Sequence, residues 1–268
     1  MPELAEVETT KRDLKKIISN KKINRTEVYL DKIVYNRKKE FILMTQNQII
    51  YDVKRRGKWL LFELEKSYIV IHFRMEGRFY LLPLNSKRDK HDYVIFYFDD
   101  YELHFNDPRL FGKMEVVLKE DIDKFFNSKK LGLEYTDPKL TVNYLKEKFK
   151  THHTDIKKML LDQSYITGIG NIYADEILFR SKINPKCYAN ELSYEKLGKI
   201  IENTKIVFEE SLKYNGTYPN IDGKRGRFEE HLKVHKRKDE KCFVCGSKIV
   251  KEKVGGRGTY YCPKCQKM

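Results

Sequence analysis

Four cysteines close to the end of the chain limit its fold more than any other feature. They lie in CFVCGSKIVKEKVGGRGTYYCPKC, a C-x2-C-x16-C-x2-C spacing made by Cys242, Cys245, Cys262 and Cys265. Two such pairs supply the four thiolates of a closed tetrahedral site, and a site filled by protein leaves no position for substrate, so the spacing predicts one structural zinc ion. Gly246 follows the first pair, where a tight knuckle turn needs it, whereas the second pair encloses Pro263. Between the pairs, VGGRGTYY predicts a hairpin with Arg257 near its tip, where a basic side chain can meet a phosphate. The fifth cysteine, Cys187, has no motif around it and reads as an ordinary packed or surface thiol.

The same tail is strongly basic. From Asp222 onward, fourteen Lys and Arg stand against six Asp and Glu, over half of the net charge of +15 carried by the 268 residues. A surplus of this size points to a polyanionic partner, and nucleic acid is the commonest one. No apolar run reaches the roughly 20 residues that span a bilayer, and the N-terminus lacks the apolar stretch of a signal peptide. The expectation is a soluble, cytoplasmic protein with no membrane partner, whose cysteines are reduced and free to bind metal.

Upstream of the tail, two periodicities follow one another. PELAEVETTKRDLKKIIS places Leu4, Val7, Leu14, Ile17 and Ile18 at helical spacing and predicts an amphipathic helix. INRTEVYL, NQIIYDVK, KWLLFELE, YIVIHF, RFYLLPL, DYVIFYFDD, YELHF and KMEVVL are β-branched or aromatic and separated by turn signals, which predicts an antiparallel sandwich or barrel. At LGLEYTDPKL the pattern becomes helical and runs through PKLTVNYLKEKF, DIKKMLLDQS, NIYADEILFRS and ELSYEKLGKIIENTKIVFEESLK, with YITGIG as a tight connection. YNGTYPNIDGKRGRF, rich in Gly, Pro, Asn and basic residues, reads as a mobile linker. The predicted class is α+β: a β-sandwich domain with an N-terminal helix over residues 1–133, a helical domain over 134–222, and a basic linker with a zinc ribbon over 223–268.

The opening MPELAEVE allows two readings of Pro2. Proline suits the first turn of a helix, and Glu3 and Glu6 would favour its positive end. Alternatively, once the initiator Met is removed, Pro2 is a free secondary amine able to form an iminium with an aldehyde. PELAEVE, GKW at Lys58, HFRMEGRF, NDPRLFG, LLDQSYITGIGNIYADEILF and the four-cysteine finger, in that order, resemble a bacterial formamidopyrimidine-DNA glycosylase over essentially the whole chain. Endonuclease VIII, the sibling family, shares the start, the helical motif and the finger, but the PEL start and DPRLFG favour the first.

The resemblance implies a β-sandwich, a helix-two-turn-helix domain and a zinc finger. The activity it implies is bifunctional: excision of oxidised bases from duplex DNA, then strand cleavage at the abasic sugar. Pro2 becomes the nucleophile, Glu3 the catalytic acid, Glu6 a supporting acid and Lys58 a contact to the target phosphate and sugar. His72, Asn171 and Arg257 become phosphate contacts, and Lys157 matches the family's lysine on the DNA-binding side. Met75, Arg109 and Phe111 become the side chains that fill the gap left by a flipped nucleotide. The implied protein is a monomer acting on damaged double-stranded DNA in the bacterial cytoplasm at the nucleoid, with no cofactor besides the zinc.

Three departures from the family pattern stand out. Ala5 replaces a second proline, THHTDIKK replaces a more basic and apolar approach to the helical motif, and NGTYPNIDGKRGRF is shorter than the loop many members fold over an oxidised purine. The last leaves formamidopyrimidines and oxidised pyrimidines as expected substrates, with 8-oxoguanine open. Two other classes stay in view: a zinc-ribbon DNA-binding protein that keeps the scaffold without catalysis, and an RNA-binding ribbon protein. Neither of these accounts for the N-terminal residues.

Overall fold

The computed structural model describes residues 2–268. Met1, on whose removal the amine reading of Pro2 depends, lies outside the described residues. The chain divides into two compact units, the first running to Lys129 and including Asn215–Gly226, the second made of Lys130–Tyr214 and Arg227–Met268. The segment Asn215–Gly226, which straddles the junction expected near residue 222, thus groups with the sandwich.

The first unit opens with α1 (Leu4–Ile18) and continues through β1 (Lys21–Lys22), β2 (Arg25–Val28), α2 (Lys38–Thr45), β3 (Ile49–Ile50), β4 (Asp52–Arg56), β5 (Trp59–Glu63) and β6 (Ser67–His72). It then adds β7 (Arg78–Pro83), β8 (Asp92–Tyr97), β9 (Tyr101–Asn106), β10 (Lys113–Leu118) and α3 (Ile122–Ser128). Two four-stranded antiparallel sheets form, in the orders β10-β6-β5-β4 and β2-β8-β9-β7. Their inner faces meet through aromatic rings: Phe62 of β5 lies 5.6 Å from Phe79 of β7 and 6.1 Å from Phe96 of β8. Burying each such ring contributes about 1.5–3 kcal/mol. The eight apolar runs all become strands. α2 and α3 carry no expectation in the sequence, since each is at most eight residues long and too short to show a helical period.

The second unit holds α4 (Val142–Phe149), α5 (Ile156–Leu161), α6 (Asn171–Arg180), α7 (Tyr194–Lys213) and the hairpin of β11 (Val250–Val254) and β12 (Arg257–Tyr261). α4 begins after Pro138, not at it, because the Thr141 hydroxyl caps the helix by accepting from the Tyr144 amide at 3.1 Å. Ser193 caps α7 in the same way through the Lys196 amide. The turn before α6 is tied by Gln163, whose Oε1 accepts from the Gly168 amide at 2.9 Å and whose Nε2 donates to the carbonyls of Leu161 and Ile169. Among the described residues no helix is long and apolar enough to cross a membrane.

Candidate active site and zinc centre

Leu4 is the first helical residue of α1, and Glu3 precedes it as an extended N-cap. Pro2 therefore stands outside the helix, not at the first helical position where its fixed φ and missing N–H would suit it. The start-signal reading of Pro2 loses its physical basis. Just after it, one carboxylate holds the corner together. The Glu3 amide donates to Glu6 Oε2 at 2.9 Å, and Glu6 Oε1 accepts from both the amide and the hydroxyl of Thr217 at 3.0 Å. Glu3 and Glu6 are only 2% and 5% exposed. Gly216 runs so close to this carboxylate that an added Cβ would lie 2.9 Å from Glu6 Oε1, and its φ of +70° already demands glycine. Pro2 and Glu6 line a cleft together with Arg78, Tyr218 and Asn220.

Lys58 is placed by a tight hairpin. β4 and β5 pair Arg56 with Trp59, leaving Gly57-Lys58 as a two-residue turn, and the φ of +56° at Gly57 supplies the positive φ that its first position requires. Lys58 is 7% exposed, so it does not hold its head in water as a snorkelling lysine at a strand end would. His72, at the end of β6, pairs with Trp59, and the two rings meet edge to face at 4.6 Å. The Arg74 amide donates to His72 Nδ1 at 3.0 Å, which leaves the proton of a neutral imidazole on Nε2. Burial, and then the charges of Arg74 and Lys58, bring the His72 pKa down to about 3, so the ring is neutral at physiological pH.

Two loops of the same unit carry the remaining expected residues. Met75 is half-buried in the turn between β6 and β7. After β9, the Asp107 carboxylate shapes NDPRLFG by accepting from the amides of Arg109 at 3.1 Å and Gly112 at 2.6 Å. Phe111 is left 47% exposed, with the Arg109 guanidinium 5.2 Å from its ring centre and 3.7 Å from Glu76 beside Met75. An exposed phenylalanine carrying a cation on its face, next to a methionine turn, is a surface suited to entering a base stack.

In the second unit, Asn171 begins α6 after the N-cap Gly170 and is not itself the cap. Its Nδ2 donates to the Gly258 carbonyl at 2.9 Å, next to Arg257, which is exposed at the start of β12. The Gly255-Gly256 turn, with both φ positive, makes the expected hairpin tip. Lys157 departs from expectation. It is fully buried, and its ammonium pairs with Asp175, whose other oxygen receives His235 Nδ1 at 2.6 Å and the Tyr260 amide at 3.3 Å. An ammonium enclosed in this way does not reach a phosphate, so the direct DNA contact expected of Lys157 is replaced by a link from α5 to α6.

Cys242, Cys245, Cys262 and Cys265 bring their sulfurs within 4.8 Å of one another, with 3.9 Å between Cys242 and Cys265 and 3.4 Å between Cys245 and Cys262. A tetrahedral ion with Zn–S bonds of about 2.3 Å separates its sulfurs by about 3.8 Å, so the four residues fit one zinc ion. Gly246, at φ +72°, donates to the Cys242 carbonyl in the first knuckle. In the second, where sequence reasoning found no glycine, buried Gln266 serves: its Oε1 accepts from the Cys262 amide and its Nε2 donates to the Ile183 carbonyl, both at 2.9 Å. Gln266, Thr217 and Tyr218 belong to no motif; only the fold brings Gln266 to the knuckle, Thr217 to Glu6 and Tyr218 to the cleft lined by Pro2.

Comparison with known proteins places these features in a family. Residues 1–114 match the formamidopyrimidine-DNA glycosylase N-terminal domain, 131–221 the formamidopyrimidine-DNA glycosylase H2TH domain, and 239–267 the zinc finger found in FPG and IleRS. The formamidopyrimidine-DNA glycosylase of Listeria innocua is 42% identical over 100% of both chains, and that of Carboxydothermus hydrogenoformans 40% identical over the same span. Among solved structures, the Lactococcus lactis protein in complex with an oxidised-pyrimidine DNA is 34% identical, covers 100% of both chains and superposes with a TM-score of 0.96. The same protein in complex with an N7-benzyl-Fapy-dG DNA gives the same figures.

Proposed function

The chain belongs to the formamidopyrimidine-DNA glycosylase family, and from that premise we propose that it is a bifunctional DNA glycosylase and abasic-site lyase acting as a monomer on oxidatively damaged duplex DNA. The observation that carries the reading is the N-terminal corner: Pro2 lies outside α1, beside two buried carboxylates, on the wall of a cleft. With the initiator Met removed, an α-amino group of pKa roughly 7.7–8 is partly neutral at physiological pH and nucleophilic without the perturbation a lysine would need. The Pro2 nitrogen attacks C1′ of the flipped nucleotide as the C1′–base bond breaks, the base leaving with the proton that the amine gives up; Glu3 then protonates the ring oxygen as the C1′–O4′ bond opens, which leaves a C1′ iminium on Pro2. The resulting iminium acidifies the C2′ hydrogen, and successive β- and δ-eliminations expel the two flanking phosphates.

Glu6 holds the Glu3 backbone in this scheme, and Lys58 contacts the phosphate and sugar. His72, as a neutral Nε2–H donor, contacts phosphate in the first unit, as Asn171 and Arg257 do in the second. Met75 and Phe111 occupy the vacated stack, and Arg109 hydrogen-bonds the orphaned partner base. The four-cysteine zinc holds the ribbon that presents Arg257 and supplies no chemistry to the reaction. Formamidopyrimidines and oxidised pyrimidines are the proposed substrates, in line with the lesions named for the solved relatives.

Borohydride trapping of the untagged, zinc-loaded protein on duplexes with an abasic site, a formamidopyrimidine or an oxidised pyrimidine tests this, with mass spectrometry of the joined peptide. The expected result is a cross-link at Pro2. Protein with a free Pro2 amine that binds these duplexes but neither cross-links nor nicks them would overturn the enzymatic reading in favour of a binding module.

A further inference from the structure

Beneath the NDPRLFG loop lies a group of buried charges that the proposed chemistry does not use. His104 of β9 is 0% exposed, and both its ring nitrogens meet carboxylates: Nδ1 and Asp92 Oδ2 at 2.9 Å, Nε2 and Glu102 Oε2 at 2.7 Å. Asp92 and Glu102 are themselves 2% and 4% exposed. A neutral imidazole donates from one nitrogen only, so satisfying both carboxylates requires the doubly protonated ring.

The network continues into the loop. Asp92 Oδ1 accepts from Asn106 Nδ2 at 2.8 Å, and the Asp107 amide donates to the His91 carbonyl at 3.0 Å. Asp107 then holds the amides of Arg109 and Gly112. At its other end, Glu102 Oε1 accepts from the Asn85 amide at 2.8 Å, in the connection between β7 and β8. Tyr80 pairs with His104 from β7, and Arg88, Asp89 and His91 gather around Asp92 ahead of β8. Arg88 donates to the Asp92 carbonyl at 3.1 Å and adds no second cation to the carboxylates.

We infer that His104, as an imidazolium clamped between Asp92 and Glu102, is a positioning residue that fixes the loop carrying Arg109 and Phe111 for insertion into DNA. The inference rests on the proposed role of those two side chains. Burial alone would lower the His104 pKa, but the hydrogen bonds and charges of Asp92 and Glu102 outweigh it and raise the pKa above that of free histidine. A raised folded pKa gives stabilisation that is fully present below the unfolded pKa and is lost as pH rises through the folded one. The clamp therefore opens on the alkaline side, where the neutral ring has a single N–H to offer two buried carboxylates.

The test follows loop insertion by the fluorescence of 2-aminopurine beside a tetrahydrofuran abasic analogue, using full-length zinc-loaded protein across pH and monitoring folding by circular dichroism. His104→Arg keeps the charge through alkaline pH, and His104→Gln removes it at every pH. In wild type, insertion should fall as pH rises while the protein stays folded, and His104→Arg should hold its signal flat. His104→Gln should insert several-fold less than wild type at all pH values, within the roughly 2- to 30-fold range of such couplings. A wild-type profile that is flat, or equal to that of His104→Arg, overturns the inference without any need for the glutamine variant to fold. Wild-type protein that binds the duplex with no fluorescence change overturns the insertion role of Arg109 and Phe111 instead, and the inference with it.

Discussion

Glu6, only 5% exposed, spreads its two oxygens over both sides of the corner: one accepts from the Glu3 amide, the other from the Thr217 amide and hydroxyl. A hydrogen bond to a charged group contributes about 1.5–3 kcal/mol. Glutamine at this position keeps one acceptor and turns the other into a donor facing an N–H. Glu6→Gln should therefore slow single-turnover cleavage of an abasic duplex at least tenfold while weakening binding much less, because the groups proposed to grip phosphate lie elsewhere. Thr217→Ala, which keeps the amide and loses the hydroxyl, should show a smaller loss of the same kind. A glutamine variant that cleaves at the wild-type rate would reduce Glu6 to a helix-capping residue. Glu6 itself was legible in PELAEVE, but Thr217 was not: 211 residues separate the partners, and nothing local to NGTYPN announces the contact.

At the scale of elements, the zinc ribbon shows what spacing can and cannot specify. The four cysteines and the glycine turn were readable because thiolate geometry and positive φ each demand one residue type. The second knuckle was not, since Gln266 does by side-chain hydrogen bonds what Gly246 does by conformation. Cys262→Ser should lose zinc and DNA affinity together, because the ribbon folds around the metal. Zinc-free protein that still bound damaged duplex tightly would separate the two. Strands were likewise legible where β-branched and aromatic residues recur, yet Asn215–Gly226 reads as a mobile linker and is instead anchored by Ile221, 2% exposed in the sandwich core, and by Thr217. Composition reports the absence of local order, and this segment takes its order from distant partners. Lys157 misleads in the opposite way: the family resemblance puts it on the DNA-binding side, whereas its ammonium is buried against Asp175.

For the molecule as a whole, a net charge of +15 makes electrostatics the first term in DNA affinity, and the term has a measurable form. Each phosphate neutralised by a cation releases counterions, so log K falls with log salt by about 0.9 per contact. Contacts of this kind fix the register of the protein on the backbone without reading sequence or damage. Arg257→Gln should therefore weaken binding to damaged and undamaged duplexes by a similar factor and make the slope shallower by about one unit. Phe111→Ala should behave differently, lowering affinity for the abasic duplex alone and leaving the slope unchanged, because an apolar wedge displaces no counterions. Equilibrium titrations of both variants between low and physiological salt distinguish the two kinds of contact. A slope unchanged in Arg257→Gln would remove the ribbon tip from the phosphate-binding surface, and a uniform loss in Phe111→Ala would make that ring a general adhesive instead of a reader of the gap.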